Sequence, residues 1–425
     1  MKRNVYLCHI TVCLCIALSG CLAVKSPDEY GYALVLGVDR GETAPYYVSM
    51  LLQRSNGDVR TVAGREEGSP IVGVECRDIF EAIDLMESAL PVALHISRVT
   101  GVIFSADIAK SGGIAPFLSA PLGELQMRYY ANLAVAHGRA ADFLCGLQNE
   151  LNPNVAKLQV SFVEYGASTG YVPSVTLSQF YDRAWRASGD VLLPLGTYDP
   201  QENTAAENTN SKTSNPMDMD AENTEKAEMR QNGTPLTDLL GSTDFLPSSM
   251  YTAGGLQSSL MGSAVFSGTE LVGYLNGRHT QFVLMGNGQF QNGRIHVLLD
   301  GQAHSIRLEM REKPRVSITP GDQLQTTVTL HVYADIEQSA VYTAQASAAL
   351  AAEIAAHLEQ GMQETYLACR DVGADVFELG KAVVTQFDST QSWEAFDWKS
   401  AYQSTEATFC AEVTLVRNPA VSRME

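Results

Sequence analysis

The strongest constraint in this sequence is one apolar stripe. Leu350, Ile354, Leu358, Met362 and Tyr366 recur at four-residue steps between about Ala346 and Cys369, which predicts a long helix with one apolar face. Such a helix cannot bury its stripe alone and must lie across a sheet. Strand-like runs flank it. Ser305 to Met310 and Gln325 to Tyr333 alternate apolar with polar residues, as strands with one solvated face do, and Ala407 to Arg417 reads as a final strand. Leu358 belongs to the expected core, whereas Glu359, one position along, is expected to be dispensable. Gly373 is the expected helix terminator, because a residue without Cβ adopts the left-handed conformation easily. Beyond it, Val376, Phe377 and Leu379 must either tuck under the helix as core or present an apolar surface to a partner.

Upstream the elements are shorter. Ala33–Asp39 and Tyr46–Leu52 read as a hairpin around Arg40-Gly41-Glu42-Thr43, and Ser263–Phe266 with Leu271–Leu275 as another around Gly268. Arg77 to Leu90 is a predicted helix with Ile79, Ile83, Met86 and Leu90 on one face, Asp78 near its start and Pro91 closing it. A strand ending Gly101-Val102-Ile103-Phe104 follows. Ile108 then opens a helix that Gly112-Gly113 interrupts, Tyr129 to Ala136 reads as a strand, and a helix starts at Gly138. Strands and helices alternate irregularly, so the expected class is α+β. The expectation is several domains of mixed and antiparallel sheets packed with helices, the long C-terminal amphipathic helix crossing one of them. At 425 residues and 45% hydrophobic content the chain can support two or three cores.

From about Asp199 to Thr243 the composition turns polar and acidic, without a periodic apolar face. A segment of that kind cannot offset its ordering entropy and is expected to be a mobile loop. The expected organisation is therefore a signal segment over 1–20, an N-terminal unit over 21–198 and a low-complexity linker over 199–254. A C-terminal unit covers 255–425, with room for a division near residue 312.

The first twenty residues carry Lys2 and Arg3, then an apolar run from Val5 to Leu18 too short to span a bilayer, then Leu18-Ser19-Gly20-Cys21. Small residues before a cysteine suit a lipoprotein signal peptide, so Cys21 is the expected lipidation site and first mature residue. A diacylglyceryl group contributes about 0.8 kcal/mol per buried methylene, and its two chains hold a protein that one chain would not.

Charge and motifs exclude several activities. The net charge of −19 argues against nucleic acid and against electrostatic attachment to anionic lipid. Removal of Lys2 and Arg3 makes it more negative still. Cys76, Cys145, Cys369 and Cys410 are far apart, without metal-ligand spacing, and are expected to be free, buried, structural thiols. His95, His137, His279, His296, His304, His331 and His357 form no His-x-x-x-His pair, so no zinc, iron or other cofactor site is expected. Gly166-Ala167-Ser168-Thr169-Gly170 has nucleophile-elbow spacing, but Tyr171-Val172-Pro173 follows where the elbow needs a helix. No enzyme is expected. Gly286-Asn287-Gly288 reads as a turn, and His331 as a face residue of its strand.

The residues also carry a resemblance. Ala33-Leu34-Val35-Leu36-Gly37-Val38-Asp39, Ile79-Phe80-Glu81-Ala82, Val102 to Lys110, Ala134 to Ala140 and Leu192-Leu193-Pro194-Leu195 do so in the first half. Gly262 to Phe266, Leu271 to Asn276 and Asp375 to Gly380 do so in the second. In that order, behind a lipobox, they resemble the Ger(x)C lipoproteins, the C subunits of bacterial spore nutrient-germinant receptors. Glu378 stands where that family generally has glycine. The resemblance implies a multi-domain α+β lipoprotein without a catalytic role. It would be anchored to the outer face of the spore inner membrane and joined to two integral membrane subunits, A and B. The competing reading is a lipid-anchored solute-binding protein of a transporter, which would need two doubly wound lobes around a cleft.

Overall fold

The computed structural model describes residues 30–53, 61–62, 65–66, 70–90, 92–119, 127–147, 168–186, 188–199, 236–247, 257–299, 302–319, 324–336 and 344–416. The strands are β1 (Tyr30–Arg40), β2 (Tyr46–Leu52), β3 (Thr61–Val62), β4 (Arg65–Glu66), β5 (Ile71–Cys76), β6 (Ala93–His95), β7 (Gly101–Ser105) and β8 (Asn132–Ala136). They continue as β9 (Leu192–Tyr198), β10 (Ser258–Ser267), β11 (Glu270–Leu275), β12 (Asn292–Leu299), β13 (Gln302–Glu309), β14 (Arg315–Thr319), β15 (Gln325–Ile336) and β16 (Glu406–Val416). The α-helices are α1 (Ile79–Ala89), α2 (Ala106–Lys110), α3 (Ile114–Ser119), α4 (Ala140–Gly146), α5 (Leu177–Arg186), α6 (Gly277–Gly286), α7 (Ala344–Asp371), α8 (Gly380–Val383), α9 (Thr390–Phe396) and α10 (Trp398–Tyr402).

The first sheet runs β11-β10-β9-β8-β7-β1-β2-β5, with β6 on the start of β1. Its centre, β1, β7, β8 and β9, is parallel, and its flanks are antiparallel. Helices cover both faces. Ile79 and Met86 of α1, Ile108 of α2, Phe117 of α3 and Phe180 of α5 pack with Leu36 and Val38 on one side. Phe143 and Leu144 of α4 pack with Leu34, Val35 and Ile103 on the other. The bulge between Ala33 and Val35 is why two successive β1 side chains reach the same core. At the far end of β1, Asp39 accepts hydrogen bonds from the Ala140 and Ala141 amides at 2.7 and 2.9 Å and so caps α4.

The second sheet is built on β15. β16 runs parallel along the whole of one edge, while β14 and β13 share the other, antiparallel, and β12 closes on β13. The sheet is thus continuous through residue 312. As the stripe demands, α7 lies across it. Leu350, Ile354, Leu358, Met362 and Tyr366 are all buried against Val328, Leu330, Val332 and Phe409. Gly361 lets α7 approach α6, since a Cβ there would meet the Phe282 ring at 2.3 Å. Gly373 takes φ +67°, and the Gly373 and Ala374 amides return to the Arg370 and Cys369 carbonyls, a Schellman end. Val376, Phe377 and Leu379 then turn inward. Phe377 is core, with its ring 4.9 Å from that of Phe409 and 6.1 Å from that of Tyr366.

Mixed sheets, helical layers and the long helix across a sheet are as the sequence predicts, and several details differ. Residues 258–275, read as part of the C-terminal unit, hydrogen-bond into the first sheet through β9. The 199–254 linker is docked where it is described. Leu236 and Leu246 are buried with Leu195, and the Leu239 amide donates to the Tyr274 carbonyl at 2.8 Å. The strand expected from Tyr129 begins at Asn132, because Tyr129 and Tyr130 occupy an exposed turn. Three short helices that the sequence does not announce, α8, α9 and α10, follow the long helix and close the core with Trp393, Trp398 and Tyr402. Cys76 and Cys369 are buried free thiols, but Cys145 is exposed and Cys410 half-buried. The described residues do not form two doubly wound lobes, because the second sheet holds a single parallel pair.

Glu359 also departs from expectation. Its Oε1 accepts the Ala411 amide of β16 at 2.8 Å, so a helix side chain satisfies a sheet edge. Leu358→Ala should cost about 2–5 kcal/mol through its cavity. Glu359→Ala should cost about 1 kcal/mol, and exposed Glu353→Ala within about 0.5 kcal/mol of nothing. Urea midpoints of the three variants check the ranking, and equal losses at 358 and 353 would contradict the face assignment.

Candidate functional site

The two sheets meet along a polar seam at the C-terminal end of α7. Asp375 is buried, and its carboxylate accepts three bonds, from the Leu379 amide at 2.9 Å, the Gly380 amide at 2.8 Å and the Trp398 indole Nε1 at 3.0 Å. The Asp375 amide in turn donates to Asp190 Oδ2 at 2.8 Å, while the Gly268 amide donates to Asp190 Oδ1 at 2.6 Å. The Asp190 amide donates back to the Asp375 carbonyl at 2.9 Å. Ser267 Oγ reaches the Gly373 carbonyl at 2.8 Å. Burial pushes the Asp375 carboxyl up to about 7, although the Gly380 and Leu379 amides and the indole pull it down, and the neighbouring Asp190 adds to the rise. Burial raises Asp190 as well.

Beside this, Arg183 of α5 reaches Glu378. Nε stands 2.8 Å from Oε1 with side chains 11% and 8% exposed, off the line of a hydrogen bond, so the contact is Coulombic. Lys381 pairs with the other carboxylate oxygen. Glu378 holds φ +58°, a left-handed backbone that costs a residue with Cβ about 1–2 kcal/mol.

On the other side of α6 the docked segment 236–247 organises a cavity. Asp238 accepts from His279 Nδ1 at 2.5 Å and from the Ser242 and Leu240 amides at 2.8 and 3.0 Å. Burial opposes its charge, but the His279 bond and charge together with the Ser242 and Asn276 amides outweigh this and leave the carboxyl below its ordinary value. The Phe245 carbonyl accepts the Gly277 amide at 2.8 Å, and the Phe245 ring lies 4.1 Å under the Arg278 guanidinium. The cavity, about 240 Å³, opens between α6, β12 and α7, with Tyr171 at its edge. Arg278, His279, Arg294, His296 and His357 line it. Burial lowers the His357 value, and the Arg278 charge lowers it further, so its imidazole is held neutral.

Sequence reasoning located little of this. Cys21 lies outside the described residues, as do Gly166 and Ala167. Ser168 is exposed, and Gly170, at φ +75°, passes under Phe290 into a non-helical stretch before α5. Gly288 turns the chain after α6 at φ +77°, as read. His331 bonds Thr414 Oγ1 at 2.9 Å on the strand face. His279, His296 and His357 converge although no spacing links them, and the described residues contain no cluster able to hold a metal ion. Among them no helix is long and apolar enough to cross a membrane.

Comparison with known proteins gives a consistent result. Residues 24–198 match the model of a spore germination protein N-terminal domain, and residues 261–418 that of a spore germination B3/GerAC-like C-terminal domain. The crystal structure of the GerBC protein superposes with a TM-score of 0.51 at 12% identity, covering 90% of this chain and 97% of that one, a likeness of fold. No protein of curated function matches.

Two outcomes follow from the seam. Glu378→Gly relieves about 1 kcal/mol of backbone strain but strands Arg183, a loss of about 3–5 kcal/mol, so the variant should be less stable than the parent by denaturant titration. Adding Arg183→Met should restore most of the difference. A stabilised Glu378→Gly would mean that the pair contributes nothing. For Asp375, a folded-state value of about 7 against about 3.9 in the unfolded chain means that protonation favours folding between them. Its contribution is therefore full below the lower value and lost as pH rises through the upper. The melting-temperature gap between parent and Asp375→Asn should be widest near pH 4 and narrow towards pH 7. A gap that widens with pH would contradict the assignment.

Proposed function

The chain belongs to the spore germination GerAC family, and from that premise we propose that it is the C subunit of a nutrient-germinant receptor. The carrying observation is the pair of family matches, N-terminal then C-terminal, which together span most of the sequence. In this reading the chain is a non-catalytic lipoprotein. A diacylglyceryl group on Cys21 holds it to the outer face of the spore inner membrane, beside integral membrane A and B subunits.

Geometry supports the tether. β1 begins at Tyr30, nine positions after Cys21, so the chain between them reaches at most about 30 Å. The body would stay near the bilayer, where membrane subunits are within reach. Its acidic surface is repelled by anionic headgroups, so the lipid supplies the attraction. Docking does not use Phe377, which is core; an exposed surface elsewhere must serve.

Metabolic labelling with a fatty-acid analogue tests the anchor: the parent should take up label and Cys21→Ala should not, and a labelled variant would refute the assignment. Affinity purification from the native membrane tests the role. Recovery with two polytopic membrane proteins supports the receptor, and recovery with a transporter ATPase would establish the solute-binding alternative instead.

A further inference from the structure

We infer that the cavity between α6, β12 and α7 binds a small oxyanion-bearing solute, a carboxylate or a phosphate. Charge is the first reason. The chain carries 48 acidic against 29 basic residues, yet Arg278 and Arg294 both line this concavity, with Glu364 as the one carboxylate among its lining residues. Glu364 is itself engaged, accepting from Gln360 Nε2 at 2.9 Å. Two guanidinium groups at a recess of an acidic body focus a local positive potential, and the three imidazoles add ring nitrogens for hydrogen bonding.

Preorganisation is the second. Two of the lining side chains are positioned from behind by a segment that contributes no wall of its own. Asp238 fixes the His279 ring at 2.5 Å, and the Phe245 face supports the Arg278 guanidinium at 4.1 Å. A ring beneath a guanidinium leaves its N–H edge available, and that edge matches two oxygens of a carboxylate or phosphate. Among the described residues Arg278 has no carboxylate partner. Side chains held in this way are what a binding site requires and what a merely solvated surface lacks.

Size and lining set the class. About 240 Å³ lies below the roughly 300–1,000 Å³ of pockets that take drug-sized ligands, so the solute is of small-metabolite size. Phe282 and Ile295 offer an apolar wall for the rest of it. The inference rests on the lining alone and does not depend on the receptor assignment.

Isothermal titration of the full chain at neutral pH with inorganic phosphate, succinate and benzoate tests it. At least one should bind with one-to-one stoichiometry. Arg278→Gln, an exposed substitution, should weaken that binding about tenfold or more, as loss of a charge-assisted bidentate contact does. Arg98→Gln, in the turn between β6 and β7, should leave it unchanged. Preference for succinate or benzoate assigns an organic carboxylate, and preference for phosphate assigns a phosphate. Absence of heat with all three up to about 10 mM, or binding that Arg278→Gln does not alter, overturns the proposal.

Discussion

The fold depends on two buried carboxylates. Asp190 and Asp375 sit where the two sheets meet, and taking carboxylates out of water is costly unless donors surround them. Five donors do: the Gly268 and Asp375 amides on Asp190, and the Leu379 and Gly380 amides and the Trp398 indole on Asp375. These donors come from the β10–β11 turn, the end of α7, the start of α8 and α10. These bonds offset part of the cost of burial, which still leaves both carboxyls raised, and they tie the β10–β11 turn of the first sheet to α7, α8 and α10 of the second core. The Asp190–Asp375 backbone bond and the Arg183–Glu378 pair close the seam from the other side.

What was legible in the sequence is what local periodicity writes. The stripe of α7, the hairpins, Asp78 at the start of α1 and Gly373 at the end of α7 all lie where short-range patterns put them. What was not legible depends on pairs distant in the chain. Asp190 stands beside Gly189 and looks like part of a turn; its partner is 185 positions away. Asp238 lies in a polar stretch whose composition predicts disorder, and its burial follows from His279, 41 positions on. The parallel run of β1, β7, β8 and β9 was hidden because its crossovers are short helices, one pair broken at Gly112, and because β2 and β5, which pair antiparallel, stand between β1 and β7 in the chain. The membership of β10 and β11 in the first sheet is likewise a matter of edge pairing with β9, which alternation within a strand does not encode.

Glu378 adds a strained backbone to the seam. A glycine there would need no partner to hold a left-handed backbone. A glutamate can hold it where the rest of the site over-determines the conformation, and here Arg183 and Lys381 supply that determination. The left-handed backbone at Glu378 is thus matched by an ion pair to Arg183 of α5. A rigid junction has a consequence for the proposed receptor role: an event at the cavity or at a membrane-facing surface would be passed through one body, not between two loosely linked ones.

Amide hydrogen exchange tests this central claim most directly. If the seam holds both sheets together, the Gly268, Asp375, Leu379 and Gly380 amides should exchange as slowly as those of Phe104 in β7 and Val328 in β15, through opening of the whole molecule. Fast exchange of the four while both strands stay protected would show that the sheets open independently, and would contradict the account.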